Sequence, residues 1–305
     1  MIEAGVLVVD KTAGVTSFDA VALVRRRLGL KRVGHAGTLD PDATGVLPML
    51  LGEATKLMAY LAEQDKEYVA TLRLGLTTDT GDLSGRVVAE APVRDVDQAR
   101  VEEACRPFLG RIKQVPPMFS AVHHGGRRLY ELAREGLEVV RDPREVVIHA
   151  IDVEEIAVPQ IRLRVVCGKG TYLRTLAADL GAALGCGAAV ERLVRTRVGP
   201  FALAEALSWE ALVAEPAAAL WSRVRPPEAA LRDWPVLRLD ARAMSRFEHG
   251  QSVELAPARS AAGAFVRVHA ADGRLVGVGE VLDGGWTRPV RVLHADRPGT
   301  RLRPA

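Results

Sequence analysis

Cysteine is scarce in this chain of 305 residues: Cys105, Cys167 and Cys186 make an odd number, and no two have the C-x-x-C spacing. A disulfide framework or a cysteine-rich structural zinc site needs more, so the thiols are expected to be reduced and structural. The seven histidines offer no better ligand set. Only His123 and His124 are neighbours, and no pair has the i, i+4 spacing of a helical metal site, so no metal is expected. Long apolar runs are missing too: no stretch approaches the ~18 residues of a membrane span. Met1 to Asp10 has no basic segment before its apolar run, and reads as a first strand and not as a signal peptide. A soluble, cytoplasmic protein is expected. Lysine is the last shortage, with 6 lysines against 35 arginines, so a cluster of arginines by itself is first of all a solvated face.

What is present is enough apolar material for a core. Hydrophobic residues make up 48% of the chain and charged residues 26%, which excludes a disordered polymer. The length suits one large domain or two unequal ones. Net charge is only +3, but it is unevenly spread. Residues 1–222 carry 27 basic and 29 acidic side chains, whereas residues 223–305 carry 14 and 9. A second basic excess lies in residues 111–144, where Arg111, Lys113, Arg127, Arg128, Arg134, Arg141 and Arg144 face four acids. Basic patches point weakly to nucleic acid.

The pattern along the chain predicts a strand at Val6 to Val9. A helix capped by Ser17 follows, with Phe18, Val21, Val24 and Leu28 on one face, stopped by Gly29. Residues 31–48, KRVGHAGTLDPDATGVLP, hold too many breakers for a helix or central strand. Glu53 to Leu61 reads as helix. Tyr68 to Leu74, 146–156 and 161–167 read as strands, Thr171 to Leu184 as a helix, and Ala188 to Val198 as another strand. Strands and helices mix without a β-α-β period, which predicts an α+β body with a mixed, largely antiparallel sheet. Beyond a boundary near residue 233, a short helix at 240–249 precedes strands at 264–269, 274–282 and 287–293. Asp272-Gly273 and Asp283-Gly284 separate these strands, as in a small β-barrel.

Two stretches could carry chemistry. Gly34 to Gly45 places Asp40 and Asp42 among residues that let backbone approach a ligand. Asp40-x-Asp42-x-Thr44 has the spacing of a Mg2+-dependent phosphohydrolase, but that motif belongs at the end of a long hydrophobic strand, which Arg32 to Gly37 does not form. Gly168-Lys169-Gly170-Thr171 lacks the first glycine of a phosphate loop. What remains is a helix start with free N–H groups beside Lys169, suited to one RNA phosphate. Tyr172 and Arg174 follow, and a strand passing the Asp40 loop would let Arg174 orient that carboxylate.

Several long motifs occur in register: GHAGTLDPDATGVLP, KEYVATLRLG, TTDTGD, QVPPMFSAV with GRRLYELAREG, and CGKGTYLRTLAADLG with LVRTRVGPF. Together they closely resemble the bacterial tRNA pseudouridine-55 synthases, the TruB family, over nearly the whole chain. The last ~70 residues resemble a small PUA-type RNA-binding domain, VRVHAADGRLVGVGEVL being the most telling run. The resemblance implies a catalytic domain over 1–233 with an RNA-clamping insertion at about 111–144, then a PUA-like domain over 234–305.

It also implies isomerisation of uridine 55 in the T loop of tRNA without cofactor or metal; a monomer with no membrane partner is expected. On the family's motifs the essential aspartate is Asp40, the tyrosine of K-x-Y is Tyr68, and the K-G-T-Y-x-R element supplies Tyr172 and Arg174. His35 would enter the RNA fold as the target base leaves it, and Leu193 would line the pocket. Lys11 stands in the D-K-P-x-G turn, where Thr12 replaces the usual proline; His123 stands where lysine is common. Flipping the base costs a few kcal/mol and calls for an aromatic on which to re-stack it, a role that suits Tyr68. Asp40 would attack covalently or remove the C2′ proton. An RNA-binding or RNA-folding protein without dominant catalysis is the alternative, and the phosphohydrolase a distant third.

Overall fold

The computed structural model describes residues 4–254 and 260–294. The architecture is α+β, and the chain divides into two compact units: residues 1–41, 45–62 and 198–305 form one, and residues 42–44 and 63–197 the other.

The first unit starts with the strand Gly5–Lys11, almost wholly buried. It runs antiparallel to Thr44–Leu51, with Gly5 opposite Leu51 and Lys11 opposite Gly45. A short strand, Val33–His35, pairs with residues 49–51 of the same strand. The segment expected to be too broken for a central strand therefore holds one. Pro48 is tolerated because its carbonyl accepts from Ala36 N at 3.2 Å, just past the end of Val33–His35. The N–H it lacks would point the same way, so the proline forgoes one bond at the end of that ladder and none inside it.

The helix Ser17–Leu28 corrects two expectations. Its cap is Thr16, whose hydroxyl accepts from Asp19 N at 3.1 Å while the Asp19 carboxylate accepts from Thr16 N at 2.9 Å, a capping box. Phe18 is 72% exposed, and the buried face is Ser17, Ala20, Val21, Val24 and Leu28. Gly29 ends the helix at φ 66°, as expected.

The C-terminal strands run in the order Val236–Leu239, Phe265–Ala270, Leu275–Val281, Thr287–Val292, the first pair parallel and the rest antiparallel. Two strands end this order, so the expected barrel is an open sheet among the described residues. Phe247, on the helix Ala241–Glu248, fills its core with Leu237, Val266, Val268 and Val276. Leu275, Val278 and Leu293 share a second core with Val6, Leu50, Leu57 and Leu61. Tyr60, Trp234 and Phe265 make three ring contacts at 5.3–5.5 Å. This shared apolar surface joins the C-terminal sheet to the N-terminal segments as one compact unit.

In the second unit the strands run in the order Ala188–Val198, Lys66–Leu74, Gln160–Cys167, Arg144–Ala157, Gly110–Gln114. Alternation does what the sequence implied: Tyr68, Ala70, Leu72 and Leu74 are buried, as are Ile161, Leu163, Val165 and Cys167, with Tyr68 opposite Val165. The helix Leu173–Leu184 follows, and Gly181 lets it meet the backbone of residues 187–188, to which a β-carbon at 181 would come within 2.1–2.3 Å. Gly187 N and Cys186 N both donate to Gly181 O.

Candidate active site

In the first unit, Asp40 is half-buried on a loop whose neighbours are fixed from beneath. Pro41 O accepts from Lys11 Nζ at 2.8 Å and from Gly14 N at 3.1 Å. The Lys11 ammonium also donates to Thr12 O and Val15 O, at 2.8 and 2.9 Å, and is 0% exposed. A buried ammonium is costly unless its donors are used, and here they gather the 12–15 turn and the aspartate loop around one charge. Gly14 turns the chain there at φ 81°. Leu39, on the other side of Asp40, exchanges two hydrogen bonds with the Ser17 hydroxyl. His35 is half-buried at the end of Val33–His35, opposite Met49.

In the second unit, Arg174 is 5% exposed in the first turn of its helix. Its guanidinium donates to Thr80 O at 2.9 Å and to Phe119 O at 2.7 Å, and its Nε lies 3.7 Å from Asp82 Oδ2. Asp82 is the missed residue. It closes the TTDTGD run, and its other oxygen accepts from Thr80 Oγ1, Ser84 N and Ser84 Oγ at 2.8, 3.1 and 2.5 Å. The run's density of Thr, Asp and Gly was the available signal, as such residues build side-chain-braced turns. Gly81, at φ 79°, lets this turn pack on Arg174, whose β-carbon would lie 3.1 Å from any β-carbon placed at residue 81.

Tyr172 is the helix N-cap, half-buried, with its N–H and carbonyl both bonded to Gln114. Tyr68 is 9% exposed and Leu193 half-buried. Lys169 is exposed and paired with Glu63, so its ammonium is engaged by a carboxylate at the helix start. Beside Tyr68, Glu67 accepts from Arg164 Nη1 at 2.8 Å and from Thr196 Oγ1 at 2.9 Å. Lys66, on its other side, is 6% exposed, and burial with the nearby Arg195 charge pushes its ammonium down to about 8.

The basic segment 111–144 is rooted on this face by Gln114 and by Arg174, which reaches Phe119 O. It carries a tight hairpin, His123–His124 against Arg127–Arg128, turned by Gly125 and Gly126 at φ 57° and 85°. Arg111, Arg127 and Arg141 pair with Glu145, Glu135 and Glu138. Among the described residues, Lys113, Arg128, Arg134 and Arg144 have no carboxylate partner. Arg128 and Arg134 instead lie 5.9 and 5.5 Å from the Tyr130 ring centre.

Family models match almost end to end, and all describe pseudouridylate synthases. Residues 25–173 match the N-terminal domain of the TruB family pseudouridylate synthases. Residues 174–232 match the tRNA pseudouridylate synthase B C-terminal domain, and residues 235–293 the C-terminal model of pseudouridine synthase II TruB. The tRNA pseudouridine synthase B of Dechloromonas aromatica is 46% identical over 95% of this chain and 95% of its own. That of Burkholderia pseudomallei is 46% identical over 92% and 94%. Among solved structures, an H/ACA RNP bound to a substrate RNA containing 2′-deoxyuridine aligns with TM-score 0.74 and 26% identity, covering 97% of this chain and 87% of the other. A Cbf5-Nop10-Gar1 complex aligns with TM-score 0.75 and 28% identity, over 95% and 84%. The chain belongs to the TruB family of pseudouridine synthases.

Proposed function

We propose that this protein is a tRNA pseudouridine synthase that isomerises uridine 55 in the T loop of tRNA. The observation that carries the reading is 46% identity to curated tRNA pseudouridine synthase B over 95% of the chain, with the aspartate loop intact. In the reaction the N1–C1′ bond breaks, the C5–C1′ bond forms, and the C5 proton leaves as N1 gains one. Asp40 acts as the carboxylate at the glycosidic centre. Tyr68 carries the extruded base, Tyr172 and Leu193 line its pocket, and Arg174 is the buried cation among these residues. His35 fills the place the base vacates in the RNA.

Segment 111–144 closes over the T stem-loop, and its unpaired cations contact phosphates, which position the RNA without reading its sequence. Residues 234–305 act as a PUA-like RNA-binding module, appended after residue 233, whose exposed arginines extend the phosphate contacts. The enzyme works as a monomer in the cytoplasm, where tRNA is matured. Among the described residues no helix is long and apolar enough to cross a membrane. The phosphohydrolase reading is disfavoured by Val33–His35, a three-residue strand where that motif needs a long one.

A T-arm hairpin incubated with the protein and mapped for pseudouridine tests the reading. Product is expected at the loop uridine with wild type, with or without EDTA. Asp40→Asn is expected to bind RNA within a few-fold of wild type and to form none, while Asp42→Asn stays active. Pseudouridine made by Asp40→Asn, or a wild type silenced by EDTA and restored by Mg2+, would falsify it.

A further inference from the structure

We infer that Ser17 is a positioning residue for Asp40, acting through the backbone of Leu39. The inference rests on the reading of Asp40 as the reacting carboxylate. Ser17 opens the helix Ser17–Leu28 but does not cap it, since Thr16 and Asp19 complete that cap between themselves. A serine in the first turn ordinarily bonds its own backbone turn. This one is 2% exposed and reaches 22 residues along the chain. Its Oγ donates to Leu39 O at 3.1 Å and accepts from Leu39 N at 2.9 Å.

Leu39 is 3% exposed and lies in no helix or strand, so no ladder satisfies its peptide groups. One hydroxyl, used as donor and acceptor at once, satisfies both. The residue after Asp40 is held as firmly, Pro41 O accepting from Lys11 Nζ and Gly14 N. Asp40 is thus suspended between two anchored neighbours, and its Cα can shift only if one anchor gives. Lys11 anchors through a charge that also holds the 12–15 turn, so its loss would disturb several elements. Among the described residues the Ser17 hydroxyl bonds the loop at Leu39 alone, which makes it the cleaner handle on carboxylate position.

Removing the hydroxyl leaves two buried backbone groups unsatisfied, and the loop relaxes to find water or new partners. A misplacement of about 1 Å at a reacting group costs roughly 100-fold in rate. The test is the single-turnover rate of pseudouridine formation on a T-arm hairpin with enzyme in excess, measured beside the Kd for that hairpin and the Tm. Ser17→Ala is expected to slow turnover by about 10- to 100-fold with Kd within about threefold of wild type. Ser17→Thr, which keeps the hydroxyl, is expected to restore the rate to within about threefold.

Val24→Ala, at a 0% exposed position of the same helix, controls for stability and is expected to lower Tm while keeping the rate at a temperature where it is folded. A wild-type rate for Ser17→Ala overturns the inference, as does a Thr variant no faster than alanine or a Val24→Ala equally slow. If Ser17→Ala fails to fold, Ser17→Cys takes its place, sulfur being a weak donor and acceptor of similar size; full speed there overturns it equally. Asp40→Asn separates the two readings. An active Asp40→Asn sinks the role of the carboxylate, whereas an inactive one beside a full-speed Ser17→Ala sinks only the role of the serine.

Discussion

Gln114 binds Tyr172 twice: its Oε1 accepts from Tyr172 N at 3.0 Å and its Nε2 donates to Tyr172 O at 3.3 Å. The side chain is 2% exposed and stands at the root of segment 111–144. The base of the insertion and the start of the helix that carries Arg174 are therefore one hydrogen-bonded piece. Arg174 repeats the link from the other side through Phe119 O. A movement of the insertion root is thereby felt at the Tyr172 backbone and at the Arg174 guanidinium.

Gln114→Leu keeps the volume and removes both bonds. It strands the Tyr172 N–H, while the carbonyl keeps its bond from Leu176 N at 3.1 Å, so unfolding in urea is expected to show a loss of about 1–3 kcal/mol. Gln114→Glu keeps the acceptor for Tyr172 N but turns a buried carboxylate oxygen onto Tyr172 O, and is expected to lose at least as much at pH 7. Equal midpoints for Leu and wild type would mean that water replaces both bonds without cost.

Lys66 makes stability depend on pH in a defined direction. Its ammonium titrates at about 8 in the folded chain, depressed by burial and by Arg195, against 10.5 for an ordinary lysine. Cys167, Asp65 and Glu63 also face it and act the other way. Between pH 8 and 10.5 the unfolded chain binds more protons than the folded one, so the Lys66 contribution to stability rises with pH across that window. Below 8 both states carry the proton and the full penalty of the buried charge stands, about 3 kcal/mol. Lys66→Met is expected to be more stable than wild type at pH 7, with a gain that shrinks towards pH 10.5. Cys105 and Cys167, pushed up to about 11 by burial, lower stability as pH rises from 9 to 11. The difference between variant and wild type, not either curve alone, is the quantity to measure.

The elements that carry several proposed site residues were legible because they follow regular patterns. Tyr68 lies on a clean period-2 strand, and Tyr172 and Arg174 open a helix whose glycine stop is explicit. What escaped were positions settled by long-range hydrogen bonds. Ser17 reads as a cap because serine usually caps, yet Thr16 has the better local partner in Asp19, which frees Ser17 for Leu39. Phe18 reads as core by its apolar type, but the helix faces inward one residue earlier. The strand Thr44–Leu51 hides behind Gly45 and Pro48, whose tolerance depends on where neighbouring strands end. Asp82 and Gln114 carry no periodic signal, since each acts on backbone or side chains far away in sequence.

Gly181 is fixed by backbone packing and not by a turn. It lies inside the helix Leu173–Leu184, and a β-carbon there would fall 2.1 Å from Ala188 N and 2.3 Å from Gly187 C. Both obstacles are main chain, so no rotamer relieves them. Gly181→Ala, which helix propensity alone would favour by about 1 kcal/mol, is expected instead to cost about 1–3 kcal/mol by overpacking. A Tm at or above wild type would show that the helix can slide away from residues 187–188.

The C-terminal sheet invites a truncation experiment, but the packing argues against a clean outcome. Cutting after residue 234 would remove Leu275, Val278 and Leu293 from the core they share with Leu57 and Leu61, take Phe265 from Trp234 and Tyr60, and free Lys56 Nζ from Val292 O. Exposed apolar surface is worth roughly 25 cal/mol per Å2, so the truncated chain is expected to be less stable as well as weaker on RNA. Its loss of affinity would not identify a phosphate contact. Arg238 and Arg242 give a better test, since both are exposed and, among the described residues, neither has a carboxylate partner. Arg238→Gln and Arg242→Gln are expected to leave Tm unchanged. If each arginine meets a tRNA phosphate, the slope of log K against log salt should become shallower by roughly 0.7 to 0.9 per substitution. Turnover on bound RNA should be unaffected, because neither residue belongs to the proposed catalytic set. Slopes equal to wild type in both variants would exclude the strand Val236–Leu239 and the start of the helix Ala241–Glu248 from the RNA contact.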